Sequence, residues 1–186
     1  MDKGKYQAIA DFLRVRLPSH LCLPDHDARF FSGLDLETLV LERSPFFIVE
    51  KAVSLSKAVV LGVASISEEK CKGHFPTRPI VPLIRICEAA AQTGVVLVAC
   101  NTGPMQVPIA VGAGEAKALT RTFIEPPVSL LIVVQLKEQK FGSLFVLDSR
   151  MFVGDDEVAQ LKGIKYLCPA RDKVVSSPAL TGVPPQ

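Results

Sequence analysis

The sequence predicts an α+β domain in which an antiparallel sheet wraps one long, buried helix. Three observations point there. Residues 83–100 are rich in Ala, Leu and Val, hold no proline, and run into Asn101-Thr102-Gly103-Pro104, a strong helix stop. Two short apolar, β-branched runs precede that segment. Four more runs follow it without an intervening helix, which disfavours a doubly wound parallel sheet.

Taken in order, residues 5–16 carry Ile9, Phe12 and Leu13, with Leu17 just beyond, at helical spacing. Pro18 and Pro24 break regularity, and 18–33, rich in turn formers and mixed charge, read as a linker or surface extension. Asp35 is placed to cap a short helix over 36–42, which must end before Ser44-Pro45. Residues 45–53 and 57–67 read as two strands separated by Ser54 to Ser56. The stretch 68–82 holds Pro76, Pro79 and Pro82 and reads as a loop. The helix from Leu83 is apolar nearly all round, the pattern of a core helix. Its polar stripe is Arg85, Glu88 and Gln92, at i, i+3 and i+7 and so on one face. Strands are expected over 115–124, 128–138, 143–153 and, after a turn at Asp155-Asp156, 157–167. Residues 169–186 hold four prolines and few apolar residues, which predicts a loose tail. The organisation expected is an N-terminal helical extension (1–33), one domain (34–168) and a flexible Pro-rich tail (169–186).

Bulk properties narrow the function. The chain has 186 residues and a net charge of +2 with no block of five like charges, so nucleic-acid or membrane-surface binding gets no support. No apolar run reaches about 18 residues, the spanning length; residues 89–100 are interrupted by Gln92, Thr93 and Gly94. The N-terminus lacks the apolar core of a signal peptide. The five cysteines (Cys22, Cys71, Cys87, Cys100 and Cys168) are odd in number and form no CxxC, so they read as reduced, mostly core residues of a cytoplasmic protein. Asp25-His26-Asp27 suggests a metal only weakly, because three consecutive residues do not converge easily on one ion.

The most informative stretch is 73–92, GHFPTRPIVPLIRICEAAAQ. It sets His74 in a proline-punctuated loop and Glu88 inside an apolar helix. An acid/base pair in an apolar channel suits proton abstraction next to a carbonyl. A lone histidine near a turn is more often structural, and a lone buried glutamate is more often paired, with Arg85 an available partner. Left unpaired, Glu88 should have a raised pKa, which suits a proton donor. Cys87 points about 100° away from Glu88 on the helix, so core packing is its expected role. Gly112-Ala113-Gly114 is too short and wrongly placed for a phosphate loop.

This run resembles the signature of the β-hydroxyacyl-acyl carrier protein dehydratases of the FabZ/FabA type. It matches at Gly73, His74, Phe75, Pro76, Arg78, Pro79, Pro82, Glu88, Ala89, Ala91 and Gln92. Upstream SPFFIVEKAV (44–53) and downstream FIEPPVSLLIVVQL (123–136) extend the resemblance over roughly 34–168. The resemblance implies the hotdog fold. It implies dehydration of a 3-hydroxyacyl thioester, carried on acyl carrier protein, to the 2-enoyl thioester in fatty acid or specialised lipid or polyketide synthesis. His74 would remove the α-proton, and Glu88 would protonate or orient the leaving 3-hydroxyl. Backbone N–H groups near Pro82 to Ile84 would polarise the thioester carbonyl. Phe75, Pro82, Leu83, Ile84, Arg85 and Gln92 would line the substrate site. Gln92 also reads as a helix-end or dimer hydrogen-bonding residue. Neither metal nor organic cofactor is implied. The implied assembly is a homodimer or trimer of dimers, with His74 and Glu88 from opposite subunits. Leu83 and Arg85 stand where the family has a glycine and an aliphatic residue, Thr77 replaces a usual glycine, 125–131 lacks the Gly-Asp turn, and 41–47 lacks a usual histidine. The alternatives are another hotdog thioester reaction (a thioesterase or isomerase) or a non-catalytic acyl-binding or assembly subunit.

Overall fold

The computed structural model describes residues 3–18, 21, 28–40, 47–71, 79–103, 105–120 and 123–172. Along them run α1 (Lys3–Leu13), β1 (Arg29–Ser32), α2 (Leu34–Leu39), β2 (Val49–Ser54), β3 (Val59–Ile66), α3 (Glu68–Cys71) and α4 (Leu83–Asn101). Then follow β4 (Ile109–Gly112), β5 (Glu115–Ala118), β6 (Val128–Lys140), β7 (Leu144–Val153) and β8 (Asp156–Leu167). The strands form one antiparallel sheet in the order β1-β2-β3-β6-β7-β8-β4, with β5 also on β8.

Strand periodicity of two decides what lies on each face. Val60, Ala64, Leu130, Ile132, Val134 and Leu147 turn inward and pack with Ile86, Ala89, Ala90 and Val95 to Val98 of α4. Val53, Leu61, Val63, Leu131, Val133 and Phe152 turn outward, where Ile9 and Leu13 of α1 cover them. Helix and sheet approach closely: a Cβ on Gly62 would collide with Thr93, and one on Gly94 would lie 2.8 Å from Cζ of Tyr166. The central helix thus sits as the sequence predicts, buried and wrapped. By length and composition α4, 19 residues with mean hydropathy 1.6, does reach what a membrane span needs, unlike the shorter run read from the sequence. More than half of it (56%) is buried inside this domain, as a core helix requires.

Several boundaries differ from the sequence reading, for physical reasons. The stretch 18–33 is not irregular throughout: β1 pairs with β2, Phe31 opposite Ala52, and Phe30 meets Phe12 edge-on at 4.9 Å. α1 ends earlier than expected, with Arg14 in the left-handed region at φ 56°. α2 begins after Gly33, also left-handed at φ 51°, with no side-chain cap. Asp35 lies in the first turn instead, where its charge favours the helix dipole. The strand expected over 115–124 stops at Ala118, and β4 precedes it; both are four residues long and mostly exposed, with no buried apolar face to read. A short helix, α3, opens the segment read as a loop. Residues 169–172 are held rather than loose: Ala170 bridges Gln106, and the Arg171 N–H donates to the Met105 carbonyl at 2.7 Å. Residues 173–186 lie outside the described residues.

Candidate active site

Pro82 precedes α4 in an extended conformation, and no side chain caps the helix. The N–H groups of Arg85 and Ile86 turn back to the Pro82 carbonyl, at 3.0 and 3.4 Å. Those of Leu83 and Ile84 have no acceptor within the helix, as at any helix start. Pro82 has no N–H, so the donors this end offers are Leu83 and Ile84. The approach is anchored by the Val81 N–H, which donates to the Ile124 carbonyl at 2.9 Å.

Beside this helix start lies a cavity of about 610 Å³. Ile84, Arg85, Cys87, Glu88 and Ala91 form its helical wall. Small residues around β4 and β5 (Ala110, Gly112, Ala113 and Ala116) and Leu161 and Ile164 of β8 form the other. The only charged groups among these lining residues are Arg85 and Glu88. They pair with each other, Arg85 Nη1 donating to Glu88 Oε2 at 2.8 Å, and both side chains are largely shielded from solvent, 15% and 23% exposed. The lone carboxylate of the sequence is therefore a paired one, as the i, i+3 spacing allows. Burial pushes the thiol of Cys87 up, and also that of Cys71, where the nearby charge of Arg85 works in the opposite direction.

The other expected site residues divide. Leu83 does not fill this cavity: with Pro82, Phe123 and Ile124 it lines a neighbouring one of about 250 Å³. Its bulk, which stands where the family has a glycine, is therefore directed away from this cavity. Gln92 stays out of the cavity walls. It is buried, and its Oε1 accepts the N–H groups of Ile48 at 2.9 Å and Val49 at 3.2 Å, fastening the start of β2 to the helix. Gln92→Leu would leave two buried donors unanswered and is expected to lower stability by about 2–4 kcal/mol. The check is urea unfolding: the midpoint should drop at constant m, and an unchanged midpoint would mean those N–H groups need no side-chain acceptor. His74 and Phe75 lie outside the described residues.

Two features escaped the sequence. Cys87, expected in the core, is half-buried on the cavity wall. The small-residue wall over 110–116 was visible only as an Ala- and Gly-rich run, with nothing to say which element it would face. The N-terminal helix covers the outer face of β2, β3 and β6, away from the cavity on the α4 side of the sheet.

No protein-family model matches the chain. A 3-hydroxyacyl-[acyl-carrier-protein] dehydratase FabZ of Syntrophotalea carbinolica is 31% identical over 130 residues, which span 68% of this chain and 88% of the relative. A dehydratase heterocomplex from Xenorhabdus doucetiae matches in structure with a TM-score of 0.61 at 11% identity, over 75% of this chain and 94% of that one. A thioesterase from Pseudomonas aeruginosa matches with a TM-score of 0.53 at 10% identity, over 66% of this chain and 81% of that one. At such identities the structural matches speak for the fold alone, which is the hotdog fold: an antiparallel sheet around a central helix. The sequence match carries the family, and the chain belongs to the FabZ-type 3-hydroxyacyl-[acyl-carrier-protein] dehydratases.

Proposed function

We propose that this protein dehydrates a 3-hydroxyacyl thioester carried on acyl carrier protein, giving the 2-enoyl thioester and water. The observation that supports this most is Glu88: a shielded carboxylate, paired with Arg85, in a cavity whose other lining residues carry no charge, close to a helix start. In this reading the thioester carbonyl meets the N–H groups of Leu83 and Ile84, where the helix dipole favours the charge that develops on oxygen. His74 takes the α-proton from C2. The C3–O bond breaks, its electron pair leaves with the hydroxyl, and the C2=C3 double bond forms. The hydroxyl departs as water with the proton that His74 removed. Glu88 has Oε2 on Arg85 and no partner for Oε1 among the described residues. It therefore suits orienting the 3-hydroxyl, the second of the two roles that the family resemblance implies. Ile84 and the alkyl part of Arg85 line the entry.

The site is proposed to be completed across a homodimer, with His74 and Glu88 from opposite subunits, and trimers of dimers as the larger assembly. Supporting this, β4 and β5 pair only with β8 among the described strands, and apolar Ile84, Val111 and Phe123 are exposed at 63%, 52% and 66%. A cytoplasmic setting belongs to the same proposal and rests on cysteines that pack as core residues, such as Cys71 and Cys168.

The test is incubation of the full chain with 3-hydroxybutyryl-acyl carrier protein, following enoyl thioester and free thiol in the same reaction. Enoyl thioester without thiol release is expected. Thiol release without enoyl product would favour a thioesterase, and neither product a non-catalytic acyl-binding subunit.

A further inference from the structure

Among its lining residues, the cavity's helical wall runs no further than Ala91, and its β8 wall no further than Ile164. The next inward positions are Gly94 on α4 and Tyr166 on β8. Tyr166 is fully buried, and its hydroxyl donates to the Ala91 carbonyl at 2.6 Å. That bond reaches the helix only because Gly94 has no side chain: a Cβ there would meet the Tyr166 hydroxyl, and would lie 3.1 Å from Leu147 Cδ1. Gly94, Tyr166 and Leu147 together therefore form a packed plug just beyond Ala91.

We propose that this plug makes Tyr166 the specificity-determining residue for acyl length, and that the substrate class is short-chain 3-hydroxyacyl thioesters. The argument rests on the orientation proposed above, with the carbonyl at Leu83 and Ile84 and the 3-hydroxyl at Glu88. The tail beyond C3 then runs toward Ala91. Ala91 stands three residues beyond Glu88, about 4.5 Å along the axis, room for only a few carbons. The walls near Ala91 hold no charged group among the described residues, so it is shape that limits the tail.

Binding separates this inference from the catalytic reading, because it requires no turnover. The probes are S-alkyl pantetheine thioethers from butyl to dodecyl, titrated calorimetrically into the full chain. Affinity is expected to rise about fourfold per methylene while the tail still finds apolar wall, and to level off or fall beyond about hexyl, where the plug stands. Ala91→Leu projects into the cavity rather than the core and should move that limit to shorter chains. Tyr166→Leu should move it to longer ones, and Tyr166→Phe, which keeps the ring, should leave it in place. Affinity that climbs steadily to dodecyl in the unaltered chain, a limit unmoved by Ala91→Leu, or no binding at any length would overturn the proposal. Absence of enoyl product alongside a sharp length limit would instead reject the dehydratase reading and leave the plug standing.

Discussion

Glu88→Gln is expected to lower enoyl thioester formation by about 10²–10³-fold, the scale of losing one positioned polar partner of a reacting oxygen. The substitution keeps the shape of the side chain, so the cavity wall between Ile84 and Ala91 should persist. What it removes is the charge. The amide cannot hold Arg85 as an ion partner, and it offers a departing hydroxyl a weaker acceptor than a carboxylate does. The cavity around it is apolar apart from Arg85, so no other lining residue replaces that acceptor. Steady-state turnover of 3-hydroxybutyryl-acyl carrier protein measures the effect. Circular dichroism and the urea midpoint separate lost chemistry from lost fold. A variant that folds normally and turns over at the original rate would remove Glu88 from the reaction.

How much of this was legible beforehand depends on whether the information was local. α4 announced itself, because a segment apolar on every side has nowhere to go but the core, and Asn101-Thr102-Gly103-Pro104 ends it. The strands β2, β3, β6, β7 and β8 announced themselves through β-branched runs. β1 did not: four residues carry little periodicity, and pairing with β2 supplies what their own pattern lacks. β4 did not either, since four mostly exposed residues show no readable alternation, whereas β5 falls inside the strand expected over 115–124.

The site divides the same way. The Arg85–Glu88 pair follows from spacing on one helix and was legible as an available contact. The role of Gln92 was not, because its partners lie 44 and 43 residues away at Ile48 and Val49, and only the folded sheet brings them together. The far wall of the cavity and the plug at Tyr166 are tertiary in the same sense. Tyr166 reaches the Ala91 carbonyl across 75 residues, through a gap that Gly94 leaves open. His74 lies outside the described residues; its role comes from the family resemblance and belongs to the proposal, and spacing alone gives it the weaker reading of a structural residue.

His74→Ala is the second large effect. A base that removes the α-proton has no substitute among the lining residues, where Arg85 is a cation and Cys87 a thiol raised by burial. Loss of the imidazole should lower turnover by about 10²–10⁴-fold, with binding of the short thioethers retained. The account's central claim is that this chain is a working dehydratase whose proton transfer runs through His74. It is tested most directly by the rate of enoyl thioester formation from 3-hydroxybutyryl-acyl carrier protein, measured side by side for the unaltered chain and His74→Ala. The account predicts clear turnover in the first and near-background turnover in the second. Equal rates in the two proteins, or no enoyl product from the unaltered chain, would contradict it.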